Sequence, residues 1–444
     1  MKKNNIINEL NQIGTEPYKG VRDFYPEDMF AQKYIFGVMK KTAESFGYSE
    51  YSASILEPTI LYKAKSGEEI VNEQTYSFTD RGGREVTLRP EMTPTVARMV
   101  AGRKRELTFP LRWYSIPNIF RYERPQKGRL REHWQLNADI FGVKTMDADA
   151  EIIALAHALM KNFGAKDEHF KIKINNRKII NAITKDFLEM KEEEAGCLMK
   201  LIDKKAKSAN GDFEAEISIL LGDKSKKILD LLKSKTLGEF AAILPQKLAG
   251  ADGIKEVEIL LGKLREAEIK NVEFAPDLVR GFDYYTGIVF EIYDNHPQNN
   301  RALFGGGRYD DLLDIFGEEK VPAVGFGMGD VTIKDFLETY HLMPKYKSST
   351  NLYLCTISPE YIIEANKIAK ILREKELNAE VNLTDKKLAE QVKIADKKKI
   401  PFVVCIGENE IKGKRYKIKN MKTGEEVEVE EENLAEFVKN YADA

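Results

Sequence analysis

A chain of 444 residues exceeds one ordinary hydrophobic core, so two or three domains are expected. Its 43% hydrophobic content supplies adequate cores, and 69 Lys+Arg against 71 Asp+Glu leave a net charge of only −2. That balance excludes a strong overall basic field, so any contact with nucleic acid must come from local patches.

In chain order, Pro26 opens an expected helix through Phe30, Tyr34, Ile35, Val38, Met39 and Phe46, which Gly47 stops. Tyr51 to Leu56 reads as extended and meets Pro58, which suits a sheet edge or an interface. Thr75–Phe78 and Arg84–Leu88 read as a hairpin turned at Gly82-Gly83.

A second hairpin, at about 113 to 141, is the most informative. Phe120 and Tyr122 alternate with charged residues before a basic loop, and Trp134, Leu136 and Ala138 alternate with polar ones after it. Arg121, Glu123, Gln135 and Asp139 fall at even spacings, so a pleat can present all four on one side. Such a face is costly unless it meets water or a polar ligand. The loop carries Arg124, Lys127, Arg129 and Arg131, which suit phosphate or nucleic acid; a solvated amphipathic hairpin is the plainer alternative.

An apolar helix is expected from about 146 to 165, then a strand Phe170–Ile174 and a turn at Asn175-Asn176. Residues 178–268 are rich in Lys, Glu and Leu and read as a helical insertion. Strands and glycines resume at Val272 and run to about 340, and Pro344 to Ser349 reads as a linker. Beyond it, strands at Leu352–Thr356, Asn378–Val381 and Phe402–Ile406 alternate with helices at 359–375 and 386–398, implying an open parallel or mixed sheet. Lys397-Lys398-Lys399 and Lys412 to Lys419 are locally basic, either a solvated face or an RNA contact.

Cys197, Cys355 and Cys405 are far apart, and the five histidines are scattered, so neither a zinc nor a redox site is expected. No apolar run is long enough to span a bilayer, and Met1 to Leu10 carries no long apolar region. A cytoplasmic protein without membrane contact is expected.

Three further segments carry chemistry. Arg89-Pro90-Glu91-Met92-Thr93 places a carboxylate and a hydroxyl after a strand end, or caps a helix at Thr93. In Leu278 to Gly287, Arg280 and Asp283 beside Tyr284 and Tyr285 argue for a lined pocket. The glycines of Phe304 to Asp310 suit either an anion nest with positive φ angles or a plain tight turn. Pro322 to Gly329 adds a small-residue strand against which a flat ring could lie, without a P-loop or dinucleotide fingerprint.

Phe120 to Arg129 resembles the second signature of class II aminoacyl-tRNA synthetases, in the form found in histidyl-tRNA synthetases. Lys19-Gly20-Val21-Arg22-Asp23 with Pro26 resembles that family's opening, Arg280 to Gly287 its histidine-specific segment, and Gly306 to Asp310 its glycine loop. The resemblance covers nearly the whole chain. It implies an α+β catalytic domain on a large antiparallel sheet, in residues 1–177 and 269–343, with a helical insertion at 178–268 and a C-terminal α/β anticodon-binding domain at 349–444.

The implied activity is ATP-dependent conversion of L-histidine to histidyl-adenylate and transfer to the 3′ end of tRNA(His). ATP would enter as substrate carrying Mg2+, without zinc, in a homodimer formed through the Pro26 helix and the Pro58 strand. Arg121 would hold the α-phosphate, with Arg280 facing it across the substrate carboxylate, as the two catalytic residues. Glu123, Arg129 and Gly307 would join Arg121 around ATP. Glu91, Thr93 and Gln135 would fix the ammonium group, with Met92 also assigned to the histidine site. Asp139 and Tyr285, with Tyr284 nearby, would read the imidazole, and Arg124, Gln126 and Arg131 would meet the tRNA acceptor end.

Two positions depart from the family pattern. Asp139 stands where many members carry glutamate, and Thr332 stands where the third class II signature has arginine, leaving Lys334 or Arg308 as substitutes. A synthetase for another amino acid, such as proline or threonine, is opposed by Arg280 to Gly287. A catalytically inactive paralogue acting as a histidine- or tRNA-binding regulatory subunit is favoured by Thr332 and opposed by Arg121, Arg280, Glu91 and Gln135.

Overall fold

Helix α1 (Pro26–Ser45) starts at its proline and buries Ile35, Met39 and Ala43 on one face. Gly47, at φ +82°, ends it in the left-handed conformation that glycine adopts without steric cost. The structure, a computed structural model, describes residues 14–63, 74–204, 210–279, 284–297, 299 and 302–442. It divides into two units, Met1–Pro344 and Lys345–Ala444.

The strands of the first unit are β1 (Ser49–Glu50), β2 (Leu56–Pro58), β3 (Tyr76–Thr79), β4 (Glu85–Leu88), β5 (Leu111–Ser115), β6 (Asn118–Phe120), β7 (Glu132–Phe141), β8 (Phe170–Asn176), β9 (Val272–Phe274), β10 (Ile288–Asp294), β11 (Ala302–Arg308) and β12 (Ala323–Gly329). Strands β2, β4 and β3 form a small antiparallel sheet in that order, which leaves Pro58 on an edge strand. The others build a nine-stranded sheet in the order β1-β5-β7-β12-β11-β10-β8-β9, with β6 pairing β7.

The body of the large sheet is antiparallel, as expected, but its two edge pairings, β1 with β5 and β8 with β9, are parallel. Both edges join strands separated by long intervening segments, and such crossovers allow parallel pairing where a hairpin does not. Asn175 and Asn176, expected in a turn, are the last residues of β8, and Asn176 caps the next helix by accepting from Lys178 N.

Alternation along the strands gives the large sheet two faces. Leu136, Ala138 and Ile140 of β7 and Val324, Phe326 and Met328 of β12 point into the main core. That core also holds Ile152 and Leu155 of α3 (Met146–Asn162), which follows α2 (Thr93–Arg103), and Leu198, Leu231, Phe240 and Leu260 from the helices between Arg177 and Glu266. The opposite face carries a second cluster around Val96, Leu111, Phe141, Tyr284, Tyr309 and Leu312.

The second unit orders its strands β14-β13-β15-β16-β17, with β13 (Leu352–Thr356), β14 (Ala379–Val381), β15 (Phe402–Ile406), β16 (Arg415–Asn420) and β17 (Glu426–Glu430). The first three are mutually parallel, as the β and α alternation implies, and β16 and β17 add an antiparallel hairpin. In that hairpin Arg415 meets Glu430 at 3.0 Å and Lys419 meets Glu426 at 3.6 Å. Cross-strand pairing thus offsets much of the charge of the Lys412 to Lys419 stretch within its own sheet. Cys355 and Cys405, remote in sequence, are register partners on adjacent parallel strands and both are free thiols.

One buried ion pair locks β11 to α3. Arg308, only 3% exposed, donates to both oxygens of Asp149, to the Val143 carbonyl at 3.0 Å and to the Thr145 carbonyl at 3.2 Å. Removing one member leaves an uncompensated buried charge, so Asp149→Ala should lower unfolding free energy by about 3–5 kcal/mol. Urea denaturation of the full chain, followed by tryptophan fluorescence, measures it; an unchanged midpoint would show that water or Asp310 takes over the charge.

Candidate active site

The second face of the large sheet has a floor made of glycine. Register pairs Gly325 of β12 with Asp139, Gly327 with Asn137 and Gly329 with Gln135. On the other side Gly305 and Gly307 of β11 pair with Gly327 and Gly325. The run 305–307 therefore lies in a strand, and none of its glycines has positive φ; both the anion nest and the tight turn are set aside. Its glycines are needed for space. A methyl at Gly307 would come within 3.0 Å of the Tyr285 ring, and one at Gly305 within 2.8 Å of the Glu291 side chain. The side chains of Asp139 and Gln135 lie over Gly325 and Gly327, so these two glycines make room for β7.

At one end of this floor two buried carboxyl groups meet three tyrosines. Glu91, 2% exposed just before α2, accepts from the Tyr284 hydroxyl at 3.0 Å. Tyr284 was expected beside the imidazole-reading pair; its hydroxyl turns to Glu91, while its ring packs against Tyr285 and Tyr309 at centroid separations of 5.1 and 5.8 Å. Met92 is buried at the N-cap of α2, and Thr93 begins that helix. Asp139 accepts a short hydrogen bond from the Tyr309 hydroxyl. Burial pushes the Asp139 carboxyl up to about 7, and the Tyr309 hydrogen bond offsets only part of that rise. Gln135 donates to Asn137 Oδ1 at 2.7 Å, and Asn137 donates back to the Gln135 carbonyl at 3.0 Å.

Arg121 stands on the Glu91 side of the site. Its Nε donates to the Pro90 carbonyl at 2.8 Å, which fixes the guanidinium next to the Glu91 segment. Arg89 holds the same corner, donating to the Asn118 carbonyl at 2.8 Å and the Ala53 carbonyl at 2.9 Å. Among the described residues no carboxylate pairs with Arg121. His133, on the same strand face, is held down to about 3 by burial and then by the Arg121 and Arg22 charges, so it is neutral near pH 7. Arg121 and Glu123 were expected within the strand; β6 ends at Phe120, and both begin the loop.

That loop is ordered by its own backbone pairing between Gln126 and Arg129, with Gly128 at φ +75° in the turn. Glu123 and Arg129, both assigned to ATP, face each other at 3.3 Å. Gln74, Tyr122, Glu123, Arg124, Gln126 and Arg129 line a polar cleft beside it. Arg131 turns back into the protein: it donates to the Glu123 carbonyl at 3.1 Å and the Tyr18 hydroxyl at 2.9 Å, and its guanidinium lies 4.1 Å from the Tyr122 ring centre.

Thr332 sits in the first turn of α4 (Asp330–Thr339), donating to the Leu303 carbonyl at 2.7 Å. Neither suggested substitute is free to replace the arginine expected there. Arg308 is consumed by Asp149, and Lys334 lies 3.8 Å from Asp28 and 3.9 Å from Glu338. Asp330 instead binds Arg22 at 2.8 Å and the Trp134 amide at 3.0 Å. Arg280 and Asp283 lie outside the described residues.

Sequence reasoning missed Asn137, His133, Tyr309 and Glu291. Period-two alternation from Gln135 and Asp139 marks Asn137 and His133, which share their side of the pleat. Glu291, accepting from Tyr293 at 2.7 Å, had only a charge inside an apolar run as its signal.

A family profile described as histidyl-tRNA synthetase matches residues 20–331, and one described as anticodon binding domain matches residues 351–441. The histidine–tRNA ligase of Leptospira biflexa serovar Patoc is 43% identical over 415 residues, covering 92% of this chain and 94% of its own. That of Thermoplasma volcanium is 37% identical over 431 residues, covering 95% and 98%. The crystal structure of histidyl-tRNA synthetase from Nostoc sp. PCC 7120 superposes with TM-score 0.81 at 22% identity, covering 97% of this chain and all of that one. The apo S. aureus histidyl-tRNA synthetase gives 0.73 at 25% identity, covering 96% of this chain.

A methyl group at position 325 would land on the Asp139 carboxyl. Gly325→Ala should therefore overpack the floor and cost about 1–3 kcal/mol in urea unfolding. Unchanged stability would mean that the carboxyl swings aside and the Ala138 carbonyl, 2.7 Å from such a methyl, also gives way freely.

Proposed function

Since the chain belongs to the histidyl-tRNA synthetase family, we infer that it activates L-histidine with ATP and esterifies the 3′ end of tRNA(His) with it. The histidine carboxylate attacks the α-phosphorus of ATP and the bond to pyrophosphate breaks; the terminal ribose hydroxyl of the tRNA then attacks the adenylate's carbonyl, loses its proton and takes the acyl group as AMP leaves.

Arg121 is the observation that carries the residue assignments. A cation fixed by Pro90, beside a glycine floor and without a carboxylate partner among the described residues, suits a phosphate that gains charge during transfer. We assign it to the α-phosphate, with Arg280 opposite across the substrate carboxylate. Glu91 takes the ammonium group with Thr93 and Gln135, and Tyr284 orients that carboxylate. Asp139 and Tyr285 take the imidazole. ATP enters as its magnesium complex, with Glu123, Arg129 and Gly307 around it; binding then requires the Glu123–Arg129 pair to open or to be shared with the nucleotide. Arg124 and Gln126, on the exposed side of the loop, face the acceptor end, and Arg131 shapes the loop for them.

We assign the catalytic domain to residues 1–177 and 269–343, the helical insertion to 178–268 and the anticodon-binding domain to 349–444, in a cytoplasmic homodimer. The β2 edge supports dimerisation there, since Leu56 and Ile60 are 41% and 72% exposed. The Thr332 departure alone does not favour a non-catalytic paralogue, because the Leptospira and Thermoplasma relatives are named as ligases.

Purified protein should exchange radioactive pyrophosphate into ATP with histidine and with no other amino acid; folded protein without exchange would overturn the reading. Arg280→Ala should slow adenylate formation by about 100-fold or more while changing histidine binding far less. Equal losses in both would reduce Arg280 to a binding residue.

A further inference from the structure

We propose that Tyr309 is a positioning residue for histidine selection: its hydroxyl pins Oδ1 of Asp139, leaving Oδ2 as an ionised acceptor for the imidazole N–H. The inference rests on the histidine-pocket reading above and deepens it. Tyr309 is 1% exposed and follows β11 directly, with its ring set by Phe141 and Tyr284. A tyrosine this deeply buried needs a partner for its hydroxyl, and Asp139 is that partner.

The surroundings of Asp139 make the contact decisive. Gly325 on β12 offers no side chain, and its partner on β5 is Trp113. Among the described residues Tyr309 and Tyr51 are the titratable groups that face it, Tyr48 acts on it only from the core side of the sheet, and no cation offsets its charge. The Tyr309 O–H is thus the group that favours the ionised form. Beside it the Tyr51 hydroxyl and Ser115 Oγ are buried next to each other, so this end of the floor carries further polar groups. A protonated Asp139 would present an O–H where the ring N–H must donate, so selection needs the carboxylate.

The sign follows from linkage. Below its midpoint the free carboxyl holds a proton that must leave on binding, so affinity falls about tenfold per pH unit there. Without the Tyr309 donor the midpoint rises. The probe is the 1,2,4-triazole analogue of histidine, whose ring gains no proton in this range. Its binding to the full-length protein is measured by calorimetry from about pH 5.5 to 8.5, alongside histidine.

For the parent protein, analogue affinity should be level above about pH 7 and fall below it. In Tyr309→Phe, which keeps the ring in place, the fall should begin at higher pH, with affinity recovering toward the parent's at the alkaline end. A loss of equal size at every pH would mean that Tyr309 only packs, and an unchanged profile would mean that it does not act on Asp139; either overturns the inference. Failure of the parent protein to bind histidine at any pH would instead overturn the pocket reading itself.

Discussion

The register between β7 and β12 is the constraint on which the site depends. Because side chains alternate, a slip of one residue would carry Leu136, Ala138 and Ile140 onto the polar face and drive Gln135, Asn137 and Asp139 into the apolar core. The glycines opposite make the correct register sterically available, since Asp139 and Gln135 occupy the volume that side chains at 325 and 327 would fill. The apolar half of the same strands, packed against α1, α3 and the helices up to Glu266, opposes a slip from the other side. One pairing therefore serves both the core and the chemistry.

Charges of both signs share that face. The buried carboxyl groups of Glu91 and Asp139 stand with tyrosines, and the guanidinium of Arg121, without a carboxylate partner among the described residues, is held next to the Glu91 segment. Opposite charges set side by side suit a zwitterionic ligand better than an apolar one. Neutral His133 beside Arg121 avoids adding a second positive charge next to it.

The architecture was largely legible because its signals are local. Helix α1, the hairpin at Gly82-Gly83 and the alternating C-terminal unit follow from periodicity, proline and glycine. The glycine run 305–307 was misread because glycine more often marks a turn, whereas here the reason for it lies in contacts with Tyr285 and Glu291 from distant segments. The same limit hid Tyr309, whose partner is 170 positions away, and the adjacency of Cys355 and Cys405. The commitment of Arg308 to Asp149 could not be seen either, since a buried ion pair leaves no spacing in sequence.

The basic loop approaches α4 closely at one point. Gly128 turns with φ +75° directly against Thr332, so a methyl at 128 would stand 3.6 Å from the threonine methyl. A long side chain at 332 has to pass through the space that the loop tip occupies. The helix position and the loop conformation therefore constrain each other: a side chain much longer than threonine at 332 would press on the loop tip and need that tip to move with it.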